Sequence, residues 1–171
     1  DILVFSKSYD ELQKHKAYIK NALEMHGLTV NEKKEFLSHP HEEWTFLGFS
    51  YKDGILDVSS VSVEKLKHKM RRKSRALKRW SDRNNVDPSK AVTVFIKRFN
   101  EKFFSNPDEN ELTWARWFFP VINTDKSLHD IDLYVQDCIR YIATGKRNKS
   151  RFNFSYSDMK KSGYISLVNE Y

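Results

Sequence analysis

The sequence predicts an α+β fold: a short mixed first part, then an all-helical remainder. Three observations carry this. Ile2–Phe5 is an unbroken apolar run, and residues 44–58 hold strand-like stretches around an Asp-Gly pair. From Ser62 onward, apolar residues recur at three- and four-residue spacings. With 39% hydrophobic and 14% aromatic residues, the 171-residue chain can build a packed core rather than remain disordered.

Taken in order, Ile2–Phe5 has the pattern of a buried strand. Ser8 followed by Glu11 is a capping box, predicting a helix to His26 with Leu12, Ile19, Ala22 and Leu23 on its apolar face and Gly27 as its stop. Leu28–Val30 reads as a short strand. Trp44–Tyr51 and Ile55–Val58 read as two strands joined through Lys52-Asp53-Gly54, where Asp-Gly is a hairpin signal. His39-Pro-His41 reads as a polar connection. A metal site made of His39, His41 and Cys138 has neither the ligand spacing nor the Cys pair of a zinc centre.

Ser62 is placed to cap a helix to about Asp82, with Val63, Leu66, Met70, Leu77 and Trp80 inward and Lys73 at the edge of that stripe. Asp87-Pro88 starts another helix, with Val92, Phe95, Phe99 and Phe103 as its core face and Ser105-Asn-Pro107 as its end. Thr113–Ile122 predicts a short buried helix rich in aromatics. Ser127 with Asp130 predicts a capped helix burying Leu128, Ile131, Val135, Cys138, Ile139 and Ile142 and stopping at Gly145. Three main helices of this kind make a bundle. A further short helix is expected after Tyr156. The expected units are residues 1–60, 61–145 and an extension over 146–171.

Charge is concentrated. The chain carries +7 overall. Residues 1–60 are mildly acidic at −3 and residues 105–171 neutral, whereas residues 61–104 hold 14 basic against 4 acidic side chains. Nine Lys/Arg fall between Lys65 and Arg79 with no acid among them. At 100° per residue, His68, Arg72, Arg75 and Arg79 point away from the apolar stripe, flanked by Lys65, Arg71 and Lys78. Solvated helices interleave signs, because like charges one turn apart repel. Such a run is accounted for when phosphates neutralise it, which points to nucleic acid. Lys146-Arg147 opens a basic stretch that is either a solvated loop or a second phosphate contact. No apolar run approaches the length of a membrane span. The single Cys138 excludes an internal disulfide and fits a reducing cytoplasm.

Three short motifs then carry a resemblance. Asp1-Ile-Leu-Val-Phe5 resembles the segment that follows the first aspartate of the Tyr-x-Asp-Asp box of reverse transcriptases, with Asp1 as the second aspartate. Gly27-Leu-Thr-Val-Asn31-Glu-Lys-Lys34 resembles the group II intron-type pattern Gly-Leu-x-Leu-Asn-x-x-Lys, with Lys34 at the lysine of motif D. Trp44-Thr-Phe-Leu-Gly-Phe49 resembles the primer-grip motif, whose core is Phe-Leu-Gly. The basic helical half is then similar to the thumb that follows. This resemblance implies a partial palm and a thumb of a bacterial RNA-directed DNA polymerase, with a start that reads as a cut through its metal-binding motif.

It also implies roles. In the intact enzyme Asp1 would hold Mg2+ for two-metal nucleotidyl transfer, and Lys34 would act near the leaving pyrophosphate. Phe46, Leu47, Gly48 and Phe49 would form the primer grip. Lys65, His68, Arg72, Arg75 and Arg79, with Lys146 and Arg147, would hold the RNA template–DNA primer duplex by its phosphates while the dNTP adds elsewhere. Motif A and the first aspartate do not occur in the sequence, so the chain alone is expected not to polymerise and not to bind the metal. A dimer along Ile2–Phe5 would follow from the exposed edge. The other reading is a non-catalytic RNA-binding module of the maturase type.

Overall fold

A computed structural model describes residues 1–104 and 112–171. The expected end of a helix at Ser105-Asn-Pro107 lies outside them. Among the described residues the fold is α+β, a three-stranded antiparallel sheet on a helical bundle.

The first 43 residues contain one helix, α1 (Tyr9–Met25), and bury no side chain. Ser8 caps it by accepting from the Glu11 amide, but the reciprocal half of the expected box is not made. Glu11 instead accepts from the Ser6 hydroxyl at 2.6 Å. Gly27 ends the helix with φ of 70°. Two expectations fail here. Neither Ile2–Phe5 nor Leu28–Val30 is a strand, and Ile2 and Phe5 are exposed. A strand needs backbone pairing with a neighbour, and neither segment is hydrogen-bonded into the sheet. Glu35 ties the loop after a 3-10 turn (Glu32–Lys34) back to Lys16 and Lys20.

The sheet is β1 (Trp44–Phe46), β2 (Phe49–Lys52) and β3 (Ile55–Val58), in sequence order. The expected single strand over Trp44–Tyr51 is broken at Leu47-Gly48, so there are two hairpins rather than one. Both have two-residue turns with both central φ angles positive, 49° and 92° at Leu47-Gly48 and 47° and 86° at Asp53-Gly54. Asn123 closes the far side. Its backbone amide donates to the Leu56 carbonyl at 3.0 Å, and its side chain accepts from the Leu56 amide and donates to the Gly54 carbonyl.

The bundle is α2 (Ser60–Arg83), α3 (Pro88–Phe103) and α5 (Lys126–Thr144), with the short α4 (Trp114–Phe118) over one end. The cap of α2 is Ser59, accepting from the Ser62 amide, one turn earlier than expected. Asp87 caps α3 as expected, with Pro88 in its first turn. The predicted box at the start of α5 is not formed. The Ser127 hydroxyl donates to the Val58 carbonyl at 3.2 Å, tying the bundle to β3, and Asp130 is taken by Lys67. Gly145 ends α5 in the left-handed region.

Val92, Phe95, Phe99 and Phe103 of α3 meet Leu128, Ile131, Val135, Ile139 and Ile142 of α5 in one core, with Val63, Leu66 and Met70 of α2. Burying each such side chain contributes about 1.5–3 kcal/mol. The tail joins the same core through α6 (Tyr156–Lys161) and α7 (Leu167–Glu170), which supply Met159 and Leu167. Asp132, buried on α5, holds it there. It accepts from the hydroxyls of Tyr164 and Ser166 and the amides of Leu167 and Val168. No helix among the described residues is long and apolar enough to cross a membrane.

Candidate nucleic-acid interface

The outer face of α2 is built by the same periodicity that builds the core. Val63, Leu66, Met70, Ser74 and Ser81 are buried, which fixes the opposite side toward solvent. On that side Lys65, His68, Arg72, Arg75 and Arg79 follow one another at alternating spacings of three and four, a single stripe along the helix axis. Lys65, His68, Arg72 and Arg79 are exposed and Arg75 is half-buried. Arg83 continues the row, so the cations extend over about 27 Å at 1.5 Å per residue.

The nearby acids are already occupied on one flank. Lys67 bonds Asp130 of α5 at 2.6 Å and Glu64 at 3.2 Å, and Lys78 pairs with Asp82. Lys65, Lys69, Arg71, Arg72, Lys73, Arg75, Arg79 and Arg83 form no ion pair with any described residue. A helix that keeps eight such charges without internal partners has a field suited to a polyanion.

The Leu47-Gly48 turn sits at the start of this helix. The Ser59 amide donates to the Gly48 carbonyl at 2.8 Å. A Cβ on Gly48 would stand 3.1 Å from the Ser62 hydroxyl and 3.4 Å from the Phe118 ring, so glycine serves both the positive φ and the close approach. Phe49 packs on Phe118 at 4.9 Å and near Trp117 at 6.1 Å. Phe46 is half-buried, while Leu47 projects at the turn, 48% exposed. The tip of the Phe-Leu-Gly motif is therefore fixed against the bundle. It lies at Leu47-Gly48 and not at Asp53-Gly54.

At the other end, Gly145 lies against the Lys78 side chain, which brings the start of the 146–151 stretch beside α2. Lys146 is exposed there. Arg147 stacks over Tyr141 at 5.2 Å. Arg151 bonds Asp137, as does Arg140, and both guanidiniums lie over Phe152. Arg147 and Arg151 are thus engaged within the chain, leaving Lys146 and Lys149 without an ion pair among the described residues.

Asp1 and Lys34 are not brought together by any described contact. Asp1 is exposed on a segment without strand structure, and Lys34 is an exposed residue of the 3-10 turn. No three His, Cys, Asp or Glu side chains converge among the described residues. The one carboxylate that the resemblance supplies does not make a two-metal centre, and no step of nucleotidyl transfer is assigned to these residues. Cys138 is buried in the bundle whereas His41 pairs with Asp53 at the surface, so those two cannot share an ion.

One group had no place in the sequence reading. Lys102 of α3 lies near Lys69 and Lys73 of α2, and partial desolvation of its ammonium, with those two charges, holds it below the usual lysine range although the residue is exposed. The signal was there as a second basic edge, Arg98 and Lys102 one turn apart on α3, but nothing in the sequence says that it faces Lys73. Comparisons with protein-family profiles, with curated proteins and with solved structures each gave no match to this chain.

Proposed function

We propose that this chain is the end of the palm and the thumb of a reverse transcriptase-like polymerase, and that its own task is to hold a primer–template duplex. The reading is supported chiefly by the stripe Lys65, His68, Arg72, Arg75 and Arg79, which faces solvent and has no ion partner among the described residues. Its contacts would be to phosphates, which gives grip without sequence preference. The Phe-Leu-Gly turn at the head of the same helix is where a primer end would be steadied, and Lys146 would extend the grip at the far end. A heteroduplex is partly A-form, so backbone and shape are what such a face would read. Mg2+ and dNTP belong to the intact parent in this proposal, with Asp1 and Lys34 completed by residues outside this chain.

The test is fluorescence anisotropy with blunt RNA–DNA heteroduplexes of unrelated sequence. Four or five phosphate contacts predict affinity falling roughly 100- to 500-fold between about 50 and 200 mM salt. Equal affinity across sequences is expected, and the double variant Arg72→Glu/Arg79→Glu should lose binding while staying folded. A flat salt response, or unchanged binding by the double variant, refutes the proposal.

A further inference from the structure

Beside the outer face, α2 and α3 enclose an open groove of about 450 Å³. Its floor is apolar: Met70, Phe95 and Phe99 are buried and Leu77 half-buried. Its rim is not. Trp80 stands at one end, 45% exposed, and Lys73 and Arg98 flank the opening from the two helices. Neither cation forms an ion pair with a described residue, and Lys69 and Lys102 continue the positive edge. Lys73 and Trp80 lie two turns apart on α2, about 10 Å.

A groove for an internal helix would be lined by apolar residues to its rim, and a groove for a simple anion would have no aromatic wall. Cations beside an exposed indole and an apolar floor match a molecule that alternates anionic and flat aromatic parts. Unpaired nucleotides have that composition, and base-on-aromatic stacking with backbone neutralisation is how single strands are held without sequence preference. An acidic peptide would use the cations but not the flat wall.

We infer that the α2/α3 groove binds a single-stranded segment of nucleic acid, with a base on Trp80 and adjacent phosphates on Lys73 and Arg98. The groove lies on the flank of the helix whose outer face would grip duplex, so the strand it takes is one that continues past the paired region. The inference deepens the duplex-holding proposal and takes from it only that the polymer is nucleic acid.

The experiment compares three probes on the full chain: a blunt RNA–DNA heteroduplex, the same duplex with an unpaired extension of several nucleotides, and oligo(dT) alone. Wild type should bind the extended duplex more tightly than the blunt one. Trp80→Ala should remove that gain, a loss of about 5- to 150-fold for one stacked base. Trp80→Phe should keep most of it, and blunt-duplex affinity should not change in either. Arg98→Glu should also abolish the gain, and thermal melts of all three variants control for folding. The inference is overturned if extension adds nothing for wild type, if Trp80→Ala and Arg98→Glu retain the gain, or if polyglutamate displaces the extension as well as oligo(dT) does at equal charge. Absence of blunt-duplex binding with Trp80-dependent oligo(dT) binding would sink the duplex proposal and leave the groove standing.

Discussion

Cys138 shows how one buried atom couples to solution conditions. Burial inside the bundle pushes its thiol up to about 11, only partly opposed by the Ser74 hydroxyl. The folded state thus keeps its proton where the unfolded chain has lost it. Above the ordinary thiol range the unfolded state binds fewer protons, so stability falls as pH rises, by about 1.4 kcal/mol per pH unit until about pH 11. Urea melts between pH 8 and 10, below the range where the buried Tyr164 phenol adds its own loss, should show stability falling as pH rises, and Cys138→Ala should flatten it. If the wild type has no such slope, the thiol is not buried as described. Native protein should also resist alkylation at neutral pH. Gly48 gives a second prediction. Alanine there must adopt φ of 92° and meet the Ser62 hydroxyl, so Gly48→Ala should cost about 1–3 kcal/mol, read as a lowered Tm. Of these two residues, Gly48 was legible in the sequence as the glycine of the Phe-Leu-Gly motif, and Cys138 as a core position of its helix. The long-range polar pairs were not. That Ser127 would bond Val58 rather than cap its own helix depends on where β3 ends, which no local pattern encodes.

At the scale of elements, periodicity was a good guide wherever a helix had a partner. The inward faces of α3 and α5, and of α2 as far as Leu77, fell where three- and four-residue spacing put them, because burial of that face is what forms the helix, whereas Trp80, expected inward, is 45% exposed. Strands were less legible, since an apolar run states only that the segment prefers cover, not that cover exists. The second hairpin was missed because Leu47-Gly48 lacks the Asn or Asp that usually marks such turns, and the bundle beneath it enforces the turn instead. The composition of α2 has its own cost. Like charges one turn apart, Arg72 with Arg75 and Arg75 with Arg79, repel, each pair by about 0.2–0.5 kcal/mol. Neutralising Arg72 and Arg79 to Gln should therefore leave thermal stability unchanged or slightly raised at low salt, with the gain fading as salt screens the repulsion. A fall of several degrees in either variant would mean these arginines are structural, and a face retained for function would be the wrong description.

The whole molecule is uneven in a way that composition does not reveal. Every residue of the core lies at or after Val58, and none of residues 1–43 is buried. What attaches the first part is slight: Phe5 meets the edge of Trp44 at 5.6 Å, and His41 bonds Asp53 at 2.8 Å. An exposed aromatic contact contributes at most about 1 kcal/mol, and a 17-residue helix without packing is marginal in water. Hydrogen exchange should therefore separate the chain into two classes, with α1 amides exchanging near the rate of unfolded peptide and those of α2, α3 and α5 protected to the level of global unfolding. Deleting residues 1–43 should follow the same division. The remaining hairpins and bundle should fold cooperatively, with Tm lowered by no more than about 5 °C, and should bind heteroduplex as the full chain does, because the stripe on α2 and the Leu47-Gly48 turn are both retained. On the proposed reading neither form extends a primer, because the resemblance supplies Asp1 alone of the carboxylates that two-metal transfer needs. Template-dependent synthesis by the full chain would overturn the assignment of catalysis to residues outside it. A truncated form that failed to fold would show that the first 43 residues support the bundle in a way their exposure does not suggest.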